Sequence, residues 1–258
     1  MIEFQDVTRT YGDRVAVSRL SLTVPPGELF CFLGPNGAGK TTSIKLLVGL
    51  LRPTSGSLRV CGFDLTRQHR EAAQAIGYVP DEPYLYDKLT GREFLQFVAG
   101  MYGMTKQEEF AGIERTIALL DLADFVDDLT ETYSHGMKQR LVFAAALLHE
   151  PRVLVIDEPM VGLDPRTARI VKNLIRAQAN AGATVFVSTH SLSMVEEIAD
   201  RIGILDHGCL RAVGTLSELR STITGGDASL ESLFLQLTDG TNGHSGEPAA
   251  VTSEAGPS

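Results

Sequence analysis

Residues 29–41 decide the fold of this chain, because an apolar run, Leu29 to Leu33, leads directly into a glycine-rich loop. The loop fits the pattern G-x-x-x-x-G-K-[ST], in which glycines let backbone N–H groups wrap around an anion. A helix is expected to follow from Gly39 to about Leu50, and its N-terminus adds a positive dipole end. In this interpretation Lys40 reaches the outer phosphates of a nucleotide and the next residue holds Mg²⁺. The loop residues are Gly34, Pro35, Asn36, Gly37, Ala38, Gly39, Lys40 and Thr41.

The alternative for this loop is a glycine-rich turn without a ligand, which the strand–loop–helix context disfavours. The rest of the chain alternates short apolar runs with helical patterns, and this alternation is typical of a largely parallel sheet. The first 24 residues read as strands with a break at Ser18–Arg19, and the stretch from about 90 to 150 is helical throughout. The other predicted strands are 29–33, 58–60, 76–79, 153–156, 184–187 and 202–205, and the other predicted helices are 166–179 and 192–199.

Composition fits a globular α/β chain. Of the 258 residues 43% are hydrophobic and 21% are charged, which excludes a mostly disordered or coiled-coil protein. The three cysteines form no CxxC pair, so a zinc site is disfavoured and a reducing compartment is expected. The longest apolar run, 141–148, is too short to span a bilayer, and the N-terminus lacks the apolar stretch of a signal peptide. A net charge of −9 predicts no nucleic-acid partner.

Acidic and histidine side chains follow two of the predicted buried strands. The strand 153–156 ends in Asp157 and Glu158, and the strand 184–187 is followed by Ser188, Thr189 and His190. Asp157 suits a Mg²⁺ site, whereas Glu158 is placed to orient and deprotonate a water aimed at the γ-phosphate. Ligands bind at the carboxyl edge of a parallel sheet, where His190 would meet the same phosphate. Taken alone, these residues favour the interpretation of solvated strand ends; behind a phosphate loop they indicate catalysis.

A third motif opens a helix with an apolar stripe. Residues 133–140 read Tyr-Ser-His-Gly-Met-Lys-Gln-Arg, and Ser134 is predicted to be the N-cap. In isolation this segment indicates only a capped helix.

Together these motifs resemble the nucleotide-binding subunit of an ATP-binding cassette (ABC) transporter over roughly residues 2–236. Residues 34–42, which include Thr42, match the Walker A loop, and 153–158 match the Walker B strand. Residues 161–164, ending in Asp164, match the D-loop, and His190 matches the switch histidine. Residues 133–137 take the place of the family's LSGGQ signature, and Tyr11 stands where the family stacks an aromatic ring on adenine.

The resemblance implies a fold, cofactors and partners. It implies a P-loop NTPase (RecA-like) core with a mostly parallel sheet, an N-terminal antiparallel β-subdomain and an inserted helical subdomain. ATP and Mg²⁺ are the implied cofactors. A head-to-tail dimer, expected to be a homodimer, would let Ser134 and Gly136 of one subunit face the γ-phosphate bound by the other. A separate integral-membrane permease is the other implied partner, which would place the chain at the cytoplasmic face of the cell membrane.

Two motifs depart from the family's pattern. The signature carries His135 and Met137 where the family has Gly and Gln, although Ser134 and Gly136 remain. The Q-loop position, after residues 77–80, is Asp81 instead of Gln. A carboxylate there can meet Mg²⁺ through water, so Asp81 is a candidate for the nucleotide and metal site.

Within the family the chain resembles bacterial drug- or antibiotic-type exporters with type-2 permeases. The signature, the acidic Q-loop and the ending 230–234 carry this resemblance. The expected cassette covers 1–238, with the helical subdomain at about 90–150, and the composition of 239–258 predicts a disordered C-terminal tail. The permease contact is expected near Tyr84, Leu85, Tyr86 and Leu89, where packing inside the chain is the alternative.

Two other classes of function are alternatives to transport. A soluble ABC ATPase of translation or DNA repair resembles two fused cassettes or a cassette split by a coiled coil, and neither feature is present. A GTP-binding switch needs an Asn-Lys-x-Asp string, which the sequence lacks. A basic series on the predicted helix 166–179 indicates a solvated face in preference to a lipid or partner surface.

Overall fold

The computed structural model describes residues 1–222 and 229–239, which form two β-sheets and the helices packed against them. The strands are β1 Ile2–Tyr11, β2 Arg14–Val24, β3 Leu29–Leu33, β4 Ser55–Val60, β5 Phe63–Asp64, β6 Ile76–Val79, β7 Val153–Asp157, β8 Thr184–Thr189, β9 Arg201–Asp206 and β10 Cys209–Gly214. The helices are α1 Lys40–Leu47, α2 His69–Gln74, α3 Gly91–Tyr102, α4 Lys106–Leu120, α5 His135–Leu147, α6 Pro165–Asn180, α7 Leu192–Ile198, α8 Leu216–Ser221 and α9 Leu230–Asp239, with a 3-10 turn at Thr130–Thr132.

The central sheet has the order β10-β9-β3-β8-β7-β6. The strands from β9 to β6 run parallel, whereas β10 pairs antiparallel with β9, so the predicted mostly parallel sheet is confirmed. Every residue of β3, β7 and β8 is buried. Because these three strands are parallel neighbours, the residues after each of them meet at one edge of the sheet.

The second sheet is antiparallel, with the order β2-β1-β4-β5, as predicted for the N-terminal β-subdomain. The predicted break at Ser18–Arg19 coincides with a change of register, where Arg19 adopts a φ of +43°. Apolar side chains of this sheet share one core with α1 and with Phe30, Phe32 and Phe186 of the central sheet.

The opposite face of the central sheet is covered by helices. The odd-numbered residues of β3, Leu29, Cys31 and Leu33, point to this side and pack in a core with α3–α7 and α9. Thr90 and Thr105 cap α3 and α4 with reciprocal side-chain hydrogen bonds to the third residue of each helix. The predicted helical stretch from 90 to 150 thus contains three helices, α3, α4 and α5.

Two arginines tie α4 to α5. Arg115 of α4 donates hydrogen bonds to the carbonyl oxygens of Leu147 and Leu148, each at 3.1 Å, at the end of α5. Arg140 of α5 donates to the carbonyl oxygen of Asp121 at 2.8 Å, just past the end of α4. Each helix therefore supplies a cation to carbonyl oxygens at the C-terminal end of the other helix.

Several boundaries differ from the sequence prediction. The helix after the phosphate loop ends at Leu47 and not at Leu50, because Gly49 adopts a φ of +77° that a continuing helix does not allow. The strand β10 and the helices α2, α8 and α9 were not predicted, since they are short or half-exposed and carry weak periodicity. The helix α9 includes Asp239, the first residue of the predicted tail; residues 240–258 lie outside the described part.

Within residues 1–222 and 229–239, no helix combines the length and the apolar character needed to cross a bilayer.

The phosphate loop is held between β2 and β9 by close backbone contacts. A Cβ at Gly39, whose φ is +107°, would lie 2.5 Å from the carbonyl oxygen of Ala16. A Cβ at Gly34 would lie 2.4 Å from the carbonyl oxygen of Leu205. The turn between β9 and β10 adds a hydrogen bond from the N–H of Gly208 to the carbonyl oxygen of Ala38 at 2.8 Å. Only glycine fits at the first two positions.

We predict that Gly39→Ala destabilises the protein more than Gly62→Ala. Both glycines have a positive φ, but no heavy atom lies within 4 Å of a Cβ at Gly62. The Gly62 variant is therefore expected to lose about 1–2 kcal/mol for the left-handed backbone alone. The Gly39 variant is expected to lose a further ~1–3 kcal/mol because it overpacks against Ala16. Urea unfolding without nucleotide measures both, and equal losses would contradict the steric explanation.

His149 follows α5 and stacks on Tyr102, with ring centroids 3.7 Å apart and an interplanar angle of 14°. Burial lowers the pKa of His149 from 6.5 to about 4. The folded protein therefore keeps this ring neutral at a pH at which the unfolded chain protonates it. Its contribution to stability is complete above pH 6.5 and declines as the pH falls toward 4.

We predict that His149→Phe, which keeps the stack and removes the titration, loses less stability than the wild type between pH 7 and pH 5. Tyr102→Phe is the control, because it retains the histidine and is expected to retain the acid sensitivity. The measurement is the free energy of unfolding in urea as a function of pH. Parallel curves for the wild type and His149→Phe would show that His149 does not titrate as described.

Candidate nucleotide-binding and hydrolysis site

Lys40 is the first residue of α1 and its side chain is buried against the loop that precedes it. The ammonium Nζ donates to the carbonyl oxygens of Gly34 at 2.7 Å and Pro35 at 3.2 Å. It also lies 3.5 Å from Oε1 of Glu158. The cation predicted to contact phosphate and the carboxylate predicted to activate water are thus neighbours in the folded chain.

Glu158 follows β7 and bends away from it with a φ of +45°. Its N–H donates to the carbonyl oxygen of Ser188 at 3.0 Å, which fixes the backbone against the end of β8. Its Oε2 lies 2.9 Å from Nδ1 of His190 and accepts from the His190 N–H at 3.3 Å. A carboxylate oxygen accepts, so in this arrangement Nδ1 of His190 carries the proton. Lys40 and His190 together hold the two oxygens of Glu158.

Asp157 is the last residue of β7 and is fully buried. Its Oδ1 accepts a hydrogen bond from the hydroxyl of Ser188, whereas its Oδ2 has no hydrogen-bond partner among the described residues. Burial raises the pKa of Asp157, and the negative charges of Asp81 and Glu158 act in the same direction. Ser188 and Thr41, which lie beside the carboxylate, oppose this rise. A cation near Oδ2 would relieve both the burial and the repulsion.

Asp81 and Tyr11 lie at the margins of this site. Asp81 follows β6 as an exposed residue. Burial raises the pKa of Tyr78, and the charges of Asp157 and then Asp81 act in the same direction. Tyr11 is the last residue of β1 and is 46% exposed, with the Arg9 guanidinium 4.6 Å from its ring centroid. It belongs to the same hairpin as Ala16, the residue whose carbonyl touches Gly39.

The predicted cap at Ser134 is confirmed. Its hydroxyl accepts from the N–H of Met137 at 3.3 Å, and the Met137 sulfur accepts from the N–H of Ser134 at 3.4 Å. The His135 ring bonds to the carbonyl oxygen of Val161 at 3.0 Å. Among the described residues, no hydrogen bond joins Ser134, His135 or Gly136 to the phosphate loop. One chain therefore does not bring these two predicted parts of the site together by direct bonding.

Asp164 is the N-cap of α6. Its carboxylate accepts from the N–H groups of Arg166 and Thr167 and from the Thr167 hydroxyl at 2.6 Å. These hydrogen bonds, that of the Thr167 hydroxyl first, lower the pKa of Asp164. A Cβ at Gly136 would lie 3.7 Å from Oδ2 of Asp164, so the start of α5 borders the start of α6.

The basic series on α6 is partly neutralised by α7 and the turn after it. Lys172 pairs with Glu197, and Arg176 pairs with Asp200 at 2.7 Å. These pairs favour the solvated-face interpretation over a lipid-binding surface.

Ser188 is the site residue that sequence reasoning missed, although it stands next to the residues that were named. Its hydroxyl orients Asp157 and its carbonyl oxygen accepts from Glu158. The signal was present in the sequence, because the strand before His190 ends in a small hydroxyl residue at a position where an apolar one would be expected in a buried strand.

Comparison with known proteins places these features in one family. Residues 17–161 match the family model described as ABC transporter. The linearmycin resistance ATP-binding protein LnrL of Bacillus subtilis is 37% identical over 231 residues, which cover 90% of this chain and 74% of the relative. The bacitracin transport ATP-binding protein BcrA of Bacillus licheniformis is 38% identical over 211 residues, 81% of this chain and 68% of the relative.

Solved structures give the same result. An ATP-binding subunit of an ABC transporter superposes with a TM-score of 0.85 at 31% identity, covering 92% of this chain and 99% of that one. A dimeric ATP-binding cassette in a post-hydrolysis state with ADP and Pi has a TM-score of 0.76 at 25% identity, covering 83% and 98%. The expected P-loop NTPase fold is confirmed by these matches. The chain belongs to the ABC transporter family, as an ATP-binding and ATP-hydrolysing member.

Proposed function

We propose that this chain binds Mg²⁺ and ATP, hydrolyses ATP as one half of a head-to-tail dimer, and thereby drives a separate membrane permease that exports its substrate. The observation that carries the proposal is the cluster of Lys40, Glu158 and His190 at the carboxyl edge of the central sheet, within 3.5 Å of one another through Glu158. The phosphate loop ends in this cluster, so a γ-phosphate bound there has a carboxylate beside it.

The phosphate loop would bind ATP through its backbone. The N–H groups of residues 34–42, together with the N-terminus of α1, suit the β- and γ-phosphates, and Lys40 adds a positive charge. Tyr11 offers an exposed ring for adenine, backed on one face by the Arg9 guanidinium.

The residues present fit Mg²⁺. Oδ2 of Asp157 is a buried carboxylate oxygen without a partner in the described residues, and Thr41 lies beside the same carboxylate. Thr41, Asp157 and, through water, Asp81 would hold the ion, which prefers oxygen ligands and keeps several waters. When bound, Mg²⁺ neutralises charge on the β- and γ-phosphates.

Glu158 would orient and deprotonate the attacking water. His190 donates to Oε2 of Glu158 and so sets the direction of the carboxylate. As the γ-phosphate separates, Lys40 would stabilise its negative charge, and His190, 2.9 Å from Oε2 of Glu158, would contact the same phosphate.

A second subunit completes the site. Ser134 and Gly136 lie at the N-terminus of α5, whose positive dipole end suits a γ-phosphate, but within one chain they are bonded to α5 itself and lie beside the start of α6. In a head-to-tail dimer they face the phosphate of the opposite subunit, and Asp164 lies at the same interface. Each composite site then contains every group needed for one turnover.

The relatives' names support export. They include resistance to linearmycin and transport of bacitracin, which are compatible with a permease that moves antibiotics or other drugs outward. The cargo would be chosen by the permease, and this chain would lie against it at the cytoplasmic face of the membrane.

The permease surface would lie beside Asp81. Tyr84 is 81% exposed and Met101 of α3 is 74% exposed, and between them Tyr86 packs edge-on against Phe97 with centroids 5.5 Å apart. Leu85 packs toward the core instead, so of the residues predicted for this contact the two tyrosines offer the exposed surface. Exposed aromatic and methionine side chains are typical of interface centres.

We predict that Glu158→Gln abolishes turnover and traps an ATP-bound dimer. The amide keeps the shape of the side chain but cannot take the proton of water, so multiple-turnover hydrolysis is expected to fall by about 100-fold or more. ATP binding is expected to persist, and light scattering should show an ATP-dependent dimer. Glu114→Gln on α4 is the matched control and should hydrolyse ATP at the wild-type rate. Near-wild-type turnover by Glu158→Gln would refute the role of Glu158.

We predict that Tyr84→Ala combined with Met101→Ala prevents co-purification with the permease. The melting temperature should be unchanged, because both side chains are mostly exposed. Phe110→Ala, which removes a 71% exposed aromatic from α4, is the control and should keep the permease bound. Unchanged permease binding in the double variant would reject this surface, and a cooperative loss of stability would favour packing as the role of these residues.

A further inference from the structure

His135 joins the two segments of this chain that face the opposite subunit in the proposed dimer. Its Nε2 lies 3.0 Å from the carbonyl oxygen of Val161, the first residue of the D-loop, which we define as residues 161–164. A carbonyl oxygen only accepts, so Nε2 carries a proton and the hydrogen bond persists whether the ring is neutral or charged. The start of α5 is thereby fixed to the D-loop.

A second contact fits the ring to this place. Gly162 has a φ of +72°, and a Cβ on it would lie 3.2 Å from both Cδ2 and Nε2 of His135. The D-loop backbone at Gly162 therefore lies close to the Cδ2–Nε2 side of the imidazole, and a side chain at this position would crowd the ring. A small residue at position 135, such as the glycine usual in the family, would have no side chain to fill the space beside Gly162.

The D-loop in turn is bonded to the hydrolytic carboxylate residue. The N–H of Val161 donates to the carbonyl oxygen of Glu158 at 3.4 Å. The same peptide segment thus touches Glu158, which serves the ATP bound by this chain, and His135, which adjoins the Ser134 and Gly136 offered to the other ATP. One side chain connects groups that belong to two different composite sites.

We propose that His135 is a positioning residue that braces the D-loop against the start of α5. It thereby fixes the position of the signature, which faces the ATP of the opposite subunit, and the position of the Glu158 carboxylate, which faces the chain's own ATP. This inference rests on the composite site proposed above. The donor at Nε2 is the group that matters, so a side chain with a donor at the same reach should replace it. Glutamine has its amide nitrogen at a similar distance from Cα, whereas alanine has no donor.

The test uses full-length chains assembled with their permease as heterodimers in which only one composite site is active. One chain carries Lys40→Ala, which inactivates the composite site formed around its own phosphate loop. The remaining active site contains the phosphate loop, Glu158 and D-loop of the second chain. The signature of that active site comes from the Lys40→Ala chain. Single-turnover hydrolysis of ATP is measured with His135→Ala or His135→Gln placed in one chain or the other. The signature of the second chain belongs to the inactive site. His135 of that chain can therefore affect the active site only through its contact with the D-loop.

We expect His135→Ala to slow hydrolysis about fivefold from either chain, the size of one lost hydrogen bond. His135→Gln should stay near the reference rate in both placements, and melting temperatures should be unchanged because the ring is exposed. If His135→Ala slows hydrolysis only when it lies in the Lys40→Ala chain, the proposed link to the D-loop is wrong. His135 would then affect only the signature of its own chain. Equal rates for the alanine and glutamine variants would overturn the brace as well.

Controls separate this inference from the proposed dimer. Ser134→Arg in the Lys40→Ala chain should abolish hydrolysis, and in the second chain it should be tolerated. A reference heterodimer that hydrolyses no ATP, or that ignores the placement of Ser134→Arg, contradicts the composite site itself and removes the basis of the inference. With those controls in place, a missing effect of His135→Ala contradicts the brace alone.

Discussion

The close approach of two backbone carbonyls to the phosphate loop is the constraint on which the rest of the site depends. Ala16 of β2 and Leu205 of β9 press their carbonyl oxygens to within 2.5 Å of where Cβ atoms would stand on Gly39 and Gly34. The loop is thus shaped by a strand from each sheet before any ligand enters. The antiparallel sheet contributes little else to the chemistry. Its contact with Gly39 fixes the position at which α1 begins, and therefore the position of the Lys40 backbone.

The charges at the carboxyl edge are arranged for an anion and a cation together. Glu158 is flanked by Lys40 and His190, while buried Asp157 receives one hydrogen bond from Ser188 and keeps one oxygen without a partner in the described residues. Without further positive charge, burial and the carboxylates of Asp81 and Glu158 raise the pKa of Asp157. In the proposed site the charges balance only with phosphate at the loop and a metal ion at Asp157, so we expect nucleotide and ion to bind together.

Most of the central sheet could be predicted because its inner strands are short, buried and separated by helices. The runs at β3, β6, β7 and β8 were located to within two residues by apolar character alone. The strand β10 was not predicted because it is a half-buried edge strand. The helix α9 was not predicted because its apolar residues were interpreted only as part of the family resemblance. Catalytic candidates were found from the order of motifs along the chain. A hydroxyl residue at the end of a buried strand marks position 188 in the sequence. The bond from Ser188 to Asp157 and the contact between His135 and Val161 nevertheless depend on side-chain directions across neighbouring elements, which no spacing in the sequence encodes.

The exchange of arginines between α4 and α5 has a mechanical consequence. Because Arg115 satisfies carbonyls at the end of α5 and Arg140 satisfies those at the end of α4, sliding one helix along the other breaks bonds at both ends at once. The pair therefore resists sliding along its own axis. A force applied to α4 would therefore be passed on to α5, because slippage between the two helices is opposed by these hydrogen bonds.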